Sequence, residues 1–261
     1  MHKQHLTAKK AQVTMFVVLG MVLLVLAAVI FYINYGGGQL SQQLVPASRI
    51  PELAAPIKAS IDSCLEQTAI NAIIYTSSQG GYFELPKYSV KSGFSGAPYY
   101  LYENKQIMPS ISKIENEISS YINEELPFCM ENFIAFRKNG FEIEAGKAAT
   151  RTEISLEGIS FGLKFPVKIK KGDFAFSLDS FGHAIKGTRL NEIYEVSKTL
   201  SSGMIKNSED ICFSCILAVV SEHNFRIEIN RLDQNIFLYT IIDNFSTAGE
   251  TLKFSFAHKY R

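Results

Sequence analysis

From Val13 to Tyr35 the chain runs 23 residues without an Asp, Glu, Lys or Arg, and no other feature restricts its folding so strongly. An α-helix needs about 20 apolar residues to cross roughly 30 Å of hydrocarbon. The length therefore predicts a transmembrane helix over residues 13–35. A cleavable secretory signal has a shorter apolar core, about 7 to 15 residues, and then a small-residue cut site. Here Ala27 and Ala28 are followed by Val29, Ile30, Phe31 and Tyr32, so a cut there would fall within the apolar run. The segment reads as an uncleaved signal anchor.

Short flanks rich in Lys and Arg stay on the cytoplasmic side. Lys3, Lys9 and Lys10 precede the span, and no Lys or Arg follows it before Arg49. The expected topology is a single-pass cell-membrane protein with a cytoplasmic basic segment at 1–12 and the bulk of the chain extracytoplasmic. Phe31, Tyr32 and Tyr35 then fall at the outer interface, where aromatic rings concentrate. Residues 36–261 carry 23 Lys and Arg against 25 Asp and Glu, a net of −2. That balance excludes the basic footprint of a nucleic-acid binder. The run "KIKKGD" at 168–173 reads as a solvated strand edge and turn.

After "GGG" at 36–38, prolines stand at 46, 51 and 56. Glycine and spaced prolines disfavour helix, so residues 36–55 are expected to be a stalk. From Pro56, the apolar residues Ile57, Ile61, Leu65, Ala69 and Ile73 recur at helical spacing, ending at "SSQGGY". An aromatic hairpin with a turn at Asn104 follows, then a second helix from the capping-box spelling "SKIE" at 112–115, kinked or broken near Pro127. Residues 56–136 thus form a mainly helical part. From 141 the period changes to two, giving four antiparallel strands within 137–187. The C-terminal part, 188–261, opens with a helix over 189–205, and three strands end it. Residues 211–221 between them fit helix or strand equally. The fold class is α+β: one membrane helix, then an ectodomain of two or three helices packed on antiparallel sheet.

Four cysteines facing an oxidising exterior are expected to pair. Three pairings are open; Cys212 and Cys215 are close enough to bridge locally, which leaves Cys64 with Cys129. "CFSC" also has the spacing of thiol–disulfide enzymes, but Glu209 and Asp210 just before it disfavour a thiolate. No second close Cys or His pair completes a zinc site, and His183, His223 and His258 stand apart in the sequence. "GISFG" at 158–162 sits in a strand pattern rather than on a strand-to-helix turn. No catalytic, cofactor-binding or metal-ligating residue is assigned. The interleaving of Tyr82, Tyr88, Tyr99, Tyr100 and Tyr102 with Gly and Lys suggests a contact surface, since Tyr offers a rigid ring with a polar tip. Asn244 opens the glycosylation sequon "NFS".

"KKAQVTMF" resembles the processing region of archaeal type IV pilin-like precursors: a basic stretch, a small residue, Gln12, then the apolar run. The wider layout also carries a resemblance: a Lys-x-Gln anchor, a Cys-bearing helix, "QGGY", a second Cys-bearing helix and an antiparallel sheet. It looks like single-span envelope proteins of small symbiotic archaea, which implies a surface location and no particular reaction. The expected function is a non-enzymatic structural or interaction role at the cell surface. The expected partners are the lipid bilayer and a protein or envelope component. The alternatives are a pilin-like filament subunit, which would self-associate, and an extracytoplasmic thiol oxidoreductase. Carbonate washing of membranes tests the anchor: the intact chain should stay in the pellet and leave it only with detergent.

Overall fold

The hydrophobic spacing in the chain is realised as two helices crossing at one seam, with a sheet on either side. The structure, a computed structural model, describes residues 20, 21, 24, 50–92, 95–206, 211–244 and 250–260. The apolar run 13–35 lies almost wholly outside them. Among the described residues no helix is long and apolar enough to cross a membrane.

Helix α1 (Ile50–Ser78) begins six residues before Pro56, inside the stretch expected to be stalk, and runs through Pro56. Pro51 falls in the first turn, whose N–H groups have no intrahelical acceptor, whereas Pro56, the seventh residue, removes one bond within the helix. From Ile57 onward α1 buries Ile57, Ile61, Leu65, Ala69 and Ile73, four residues apart. Helix α2 (Ile111–Cys129) answers with Ile114, Ile118, Ile122 and Leu126 at the same interval. Its N-cap is Ser110, whose side chain accepts from Lys113 N–H, and not Ser112 of the capping-box spelling. Pro127 lies within the helix, which continues to Cys129. Cys64 of α1 and Cys129 of α2 form a disulfide with Cα atoms 5.7 Å apart, and Cys212 and Cys215 form the other.

Both glycines of "SSQGGY" adopt positive φ, +58° at Gly80 and +83° at Gly81. Gly81 N–H donates to Thr76 O and Gly80 N–H to Ser77 O, so the turn closes α1 with a glycine C-cap. A Cβ on Gly81 would stand 2.6 Å from Ile114 Cγ1, and one on Gly80 2.6 Å from Ser255 O. The turn is thus wedged between α2 and the C-terminal sheet, where only glycine fits.

The strands are β1 (Ser89–Ser92), β2 (Ser95–Tyr102), β3 (Lys105–Gln106), β4 (Glu142–Ala145), β5 (Ala149–Ile154), β6 (Gly158–Lys171) and β7 (Phe174–Lys186). Near the C-terminus come α4 (Leu190–Lys206), α5 (Phe213–His223), β8 (Arg226–Asp233), β9 (Ile236–Asp243) and β10 (Leu252–Lys259), with the short α3 (Ile134–Lys138) following α2. The segment 211–221, open from sequence, is therefore helical from Phe213 onward. Strand β6 pairs with β7 on one side and with β4 and β5 in turn on the other, all antiparallel. It alternates strictly: Phe161, Leu163, Phe165, Val167 and Ile169 are buried, while Ser160, Lys164, Lys168 and Lys170 are exposed. The second sheet has the order β1-β2-β10-β9-β8, with β3 also on β2. It is mixed rather than antiparallel, because β2 and β10 run parallel. That pairing joins the aromatic hairpin to the end of the chain, and residues 48–261 form one compact unit.

Strand β5 has an open edge, and α2 covers it. The N–H groups of Thr150, Thr152 and Ile154 donate to Asn123 Oδ1 (2.8 Å), Ser119 Oγ (3.1 Å) and Glu115 Oε1 (2.9 Å). The donors are two residues apart on a strand and the acceptors four apart on a helix, steps of about 6.7 Å and 6.0 Å. A free strand edge would template pairing with another chain, so this stripe of polar side chains closes it. Replacing Ser119 by Ala leaves the buried Thr152 N–H without its acceptor. It should lower the unfolding free energy by about 1–3 kcal/mol in urea titrations, while Ser112→Ala on the exposed side of α2 should change little.

Candidate functional site

Strand β2 carries a bulge: Tyr99 pairs with Ala257 of β10, but Leu101 pairs with the next residue, His258. The extra residue is Tyr100, and the bulge sends both Tyr100 and Leu101 into the main core. Tyr100 is fully buried, stacks on Phe256 at 4.6 Å and donates its hydroxyl to Gly80 O at 2.8 Å. It is therefore no part of a contact surface. Burial holds its hydroxyl well above the usual tyrosine range. Tyr82 is partly buried beside Glu117, and burial raises its pKa also.

The other three predicted tyrosines come together on the opposite face of the sheet. Tyr88 lies 5.1 Å from Tyr102 between ring centroids, and Tyr102 lies 5.3 Å from Tyr99. Tyr99 packs against the small residues Ala97 and Ala257, and Val90, Ile236 and Leu238 pack around them. Tyr99 is thereby largely buried and forms the floor, whereas Tyr88 is 50% exposed. Lys259 Nζ sits 4.6 Å over the Tyr102 ring and pairs with Glu103 at 2.7 Å; Lys87 Nζ stands 5.8 Å from the Tyr88 ring. Helix α4 packs on the other face, as the Ser201–His258 contact shows. Offset aromatic rings bordered by cations and a carboxylate suit a ligand or partner with apolar faces and polar edges.

Two polar clusters lie elsewhere, and sequence spacing pointed to neither. His258 on β10 is fully buried, with Nε2 3.0 Å from Ser201 Oγ of α4. A serine beside a histidine is the pairing used for nucleophilic attack. Here, however, Ser201 Oγ donates to Ser197 O at 2.8 Å, so its lone pair receives the Nε2 proton and Nδ1 is the bare nitrogen. Nδ1 has no hydrogen-bond partner among the described residues, and the rings of Tyr239 and Phe256 lie 4.5 and 5.3 Å away. Burial lowers the His258 pKa to about 3. A base so weak, with its serine's proton aimed at the helix backbone, does not generate an alkoxide.

The second cluster joins Arg189, Glu192, His223 and Asp243. Asp243 is fully buried at the end of β9; Arg189 Nε donates to its Oδ2 at 3.0 Å, and a second guanidinium N–H donates to Oδ1. Arg189 Nη1 also caps α5 through His223 O at 3.0 Å, and His223 Nδ1 meets Glu192 at 2.8 Å. The guanidinium lies 4.2 Å over the Phe225 ring. The hydrogen bond to Asp243 raises the Arg189 pKa. Each group is engaged by another, which makes the cluster a tie between β9, α4 and α5. Its sequence signal was slight: an Asp closing the apolar run "NIFLYTIID" is a buried charge in need of a cation.

The cleft between α2 and β5, about 370 Å³, is lined by Ser112, Glu115, Asn116, Ser119, Arg151 and Glu153, with Thr150 and Thr152. Glu115 and Ser119 are occupied with the edge of β5. Among the described residues no group of three His, Cys, Asp or Glu side chains is arranged to hold a metal ion. Asn244 is exposed at the end of β9, and the rest of its sequon lies outside the described residues. Comparison with family models, with curated proteins and with solved structures finds no match to this chain.

The buried imidazole gives the fold a pH dependence. With a folded pKa near 3 against about 6.5 unfolded, the unfolded chain binds the extra proton between those values, so stability falls as pH drops through 6.5. Nothing is lost above that window. Unfolding free energies measured at pH 8 and pH 5 should differ by about 2 kcal/mol more in the native chain than in His258→Phe.

Proposed function

We propose that this chain is a non-enzymatic, membrane-anchored extracytoplasmic protein that holds a protein or envelope partner on the face of its C-terminal sheet away from α4. The observation that carries the reading is the Tyr88–Tyr102–Tyr99 row, gathered on a sheet face away from α4 and bordered by Lys87, Lys259 and Glu103. Tyrosine gives large contact area at low entropic cost, because its ring is fixed by two torsions. Here the floor of the row is already immobilised against Ala97 and Ala257. A partner therefore orders only the exposed rim.

Three further features support the reading. The apolar run 13–35 supports the anchor. Two disulfides suit a protein that works outside the reducing cytoplasm. The one Ser–His pair described above is turned away from nucleophilic chemistry.

Removing the exposed Tyr88 ring and the half-buried Tyr102 ring tests it. The full-length double variant Tyr88→Ser, Tyr102→Ser, purified in detergent, should bind isolated cell envelopes at least about 10-fold more weakly than the native chain, the loss of one or two interface anchors. Its thermal midpoint should shift little, because Tyr99 and the alanine floor remain. Equal binding by the two proteins would remove the sheet face from the function.

A further inference from the structure

Strand β6 presents two different outer surfaces. Towards its end Lys164, Lys168 and Lys170 keep it solvated, but towards its start the outward residues are Ser160 and Gly162. Gly162 stands opposite Gly182 of β7, and Ser160 opposite Ala184. On β5 the same two rows continue, with Arg151 opposite Gly162 and Glu153 opposite Ser160. All of these are exposed, on the face opposite the buried Phe161 and Leu163. Glycine weakens a strand interior, and here the fold itself does not ask for it. Neither glycine has a positive φ. A Cβ on Gly162 would meet nothing within 4 Å, and one on Gly182 only Phe161 O at 3.7 Å, an ordinary contact. A side chain would fit and would favour the strand. A facing glycine pair with open space above it instead suits the close approach of another surface.

The charges indicate which surface. Arg151 and Glu153 are two residues apart on one strand, so they project from the same face about 6.7 Å from each other. Neither is in an ion pair among the described residues. Consider a second copy turned over about an axis that crosses the strands midway between the two rows. Each row then lies on the other row of the partner, and every contact occurs twice. Gly162 meets the partner's Ser160, Gly182 meets the partner's Ala184, and Arg151 meets the partner's Glu153. One row further out, Lys164 meets the partner's Gly158 and Ser180 meets the partner's Lys186. Small residues therefore lie on small ones, opposite charges meet, and no like charges face each other.

We infer that the outer face of β5, β6 and β7 around Gly162 and Gly182 is a self-association site that pairs with the same face of a second copy of this chain. This goes beyond the contact role of the C-terminal sheet and does not rest on it. Four rows on three strands cover about 20 Å by about 14 Å, roughly 300 Å² per copy. A stable pair buries about 800 Å² per partner, so this pairing is weak and depends on concentration. Chains held in one membrane by the anchor proposed above meet at a raised effective concentration, which a weak pairing needs. The opposed Arg151 and Glu153 set the register rather than the strength, because rim charges serve mainly specificity.

Sedimentation of the full-length protein in detergent, over rising protein concentration, reads the association and stands whether or not the chain is anchored. The native chain should shift from monomer towards dimer; a chain that stays monomeric throughout overturns the inference. Gly162→Thr should stay monomeric at concentrations where half of the native chain is paired, with a melting midpoint equal to or above the native one. Undiminished dimerisation of that variant would place the contact elsewhere and defeat the proposal. Gly182→Thr repeats the measurement at the facing position, so a poorly folded first variant leaves the test intact. Arg151→Glu and Glu153→Arg should each raise the dissociation constant at least about 10-fold, since each sets like charges against one another. The two changes in one chain should restore most of that loss, because the partner's charges are exchanged as well; a double variant as weak as the single ones would rule out the register.

Discussion

The α1–α2 seam is the interaction on which the rest of the fold leans. Two ridges of aliphatic side chains, each four residues apart, meet along it, and a covalent bond fixes their relative position at Cys64 and Cys129. Once α2 is fixed, its other faces become usable. Glu115, Ser119 and Asn123 reach the edge of β5, and Glu117 Oε2 accepts from Phe83 N–H and Glu84 N–H in the chain leading to the aromatic hairpin. The Gly80–Gly81 turn can fit only because Ile114 and Ser255 close on it from two sides. Apolar burial there does what secondary-structure propensity does not: it sets which face of α2 looks where.

Of the two sheets, one is protected and one is available. Strand β6 turns a continuous apolar face to the helices and a lysine-rich face to water, and α2 seals the neighbouring edge of β5. The C-terminal sheet also packs helices on one face, but on the other it leaves tyrosines where lysines would have been the solvated choice. An aromatic face left beside small residues costs solubility unless it is used. That contrast within one chain is why the contact reading centres on Tyr88 and Tyr102.

Hydrophobic period marked the elements well, because each element has one buried face and period reports a buried face. Ile57 to Ile73 and Phe161 to Ile169 are such cases. The cysteine pairing was also readable, since loop length and helix placement left a favoured choice. What sequence could not supply were relations between distant segments: the parallel pairing of β2 with β10, the Arg189–Asp243 tie across 54 residues, and the Ser201–His258 contact. Local spelling also misled. "SKIE" has the form of a capping box, yet Ser110 caps the helix and Glu115 serves a strand. Among the tyrosines, one bulged residue separated core from surface: alternation alone would not place Tyr100 and Leu101 on the same side.

The polar stripe joining α2 to β5 behaves as a vernier, two rulers with unequal divisions. Each helical step of about 6.0 Å falls some 0.7 Å short of the strand's two-residue step, so three divisions coincide within hydrogen-bond tolerance and a fourth or fifth would not. The match therefore limits its own length, and β5 at six residues is near the longest edge such a helix can serve. It also fixes phase. Inserting one residue between Ser119 and Asn123 would keep the helix intact but swing every later side chain by about 100°. Asn123 would then leave Thr150 while Ser119 kept Thr152, and the strand edge would open from one end only.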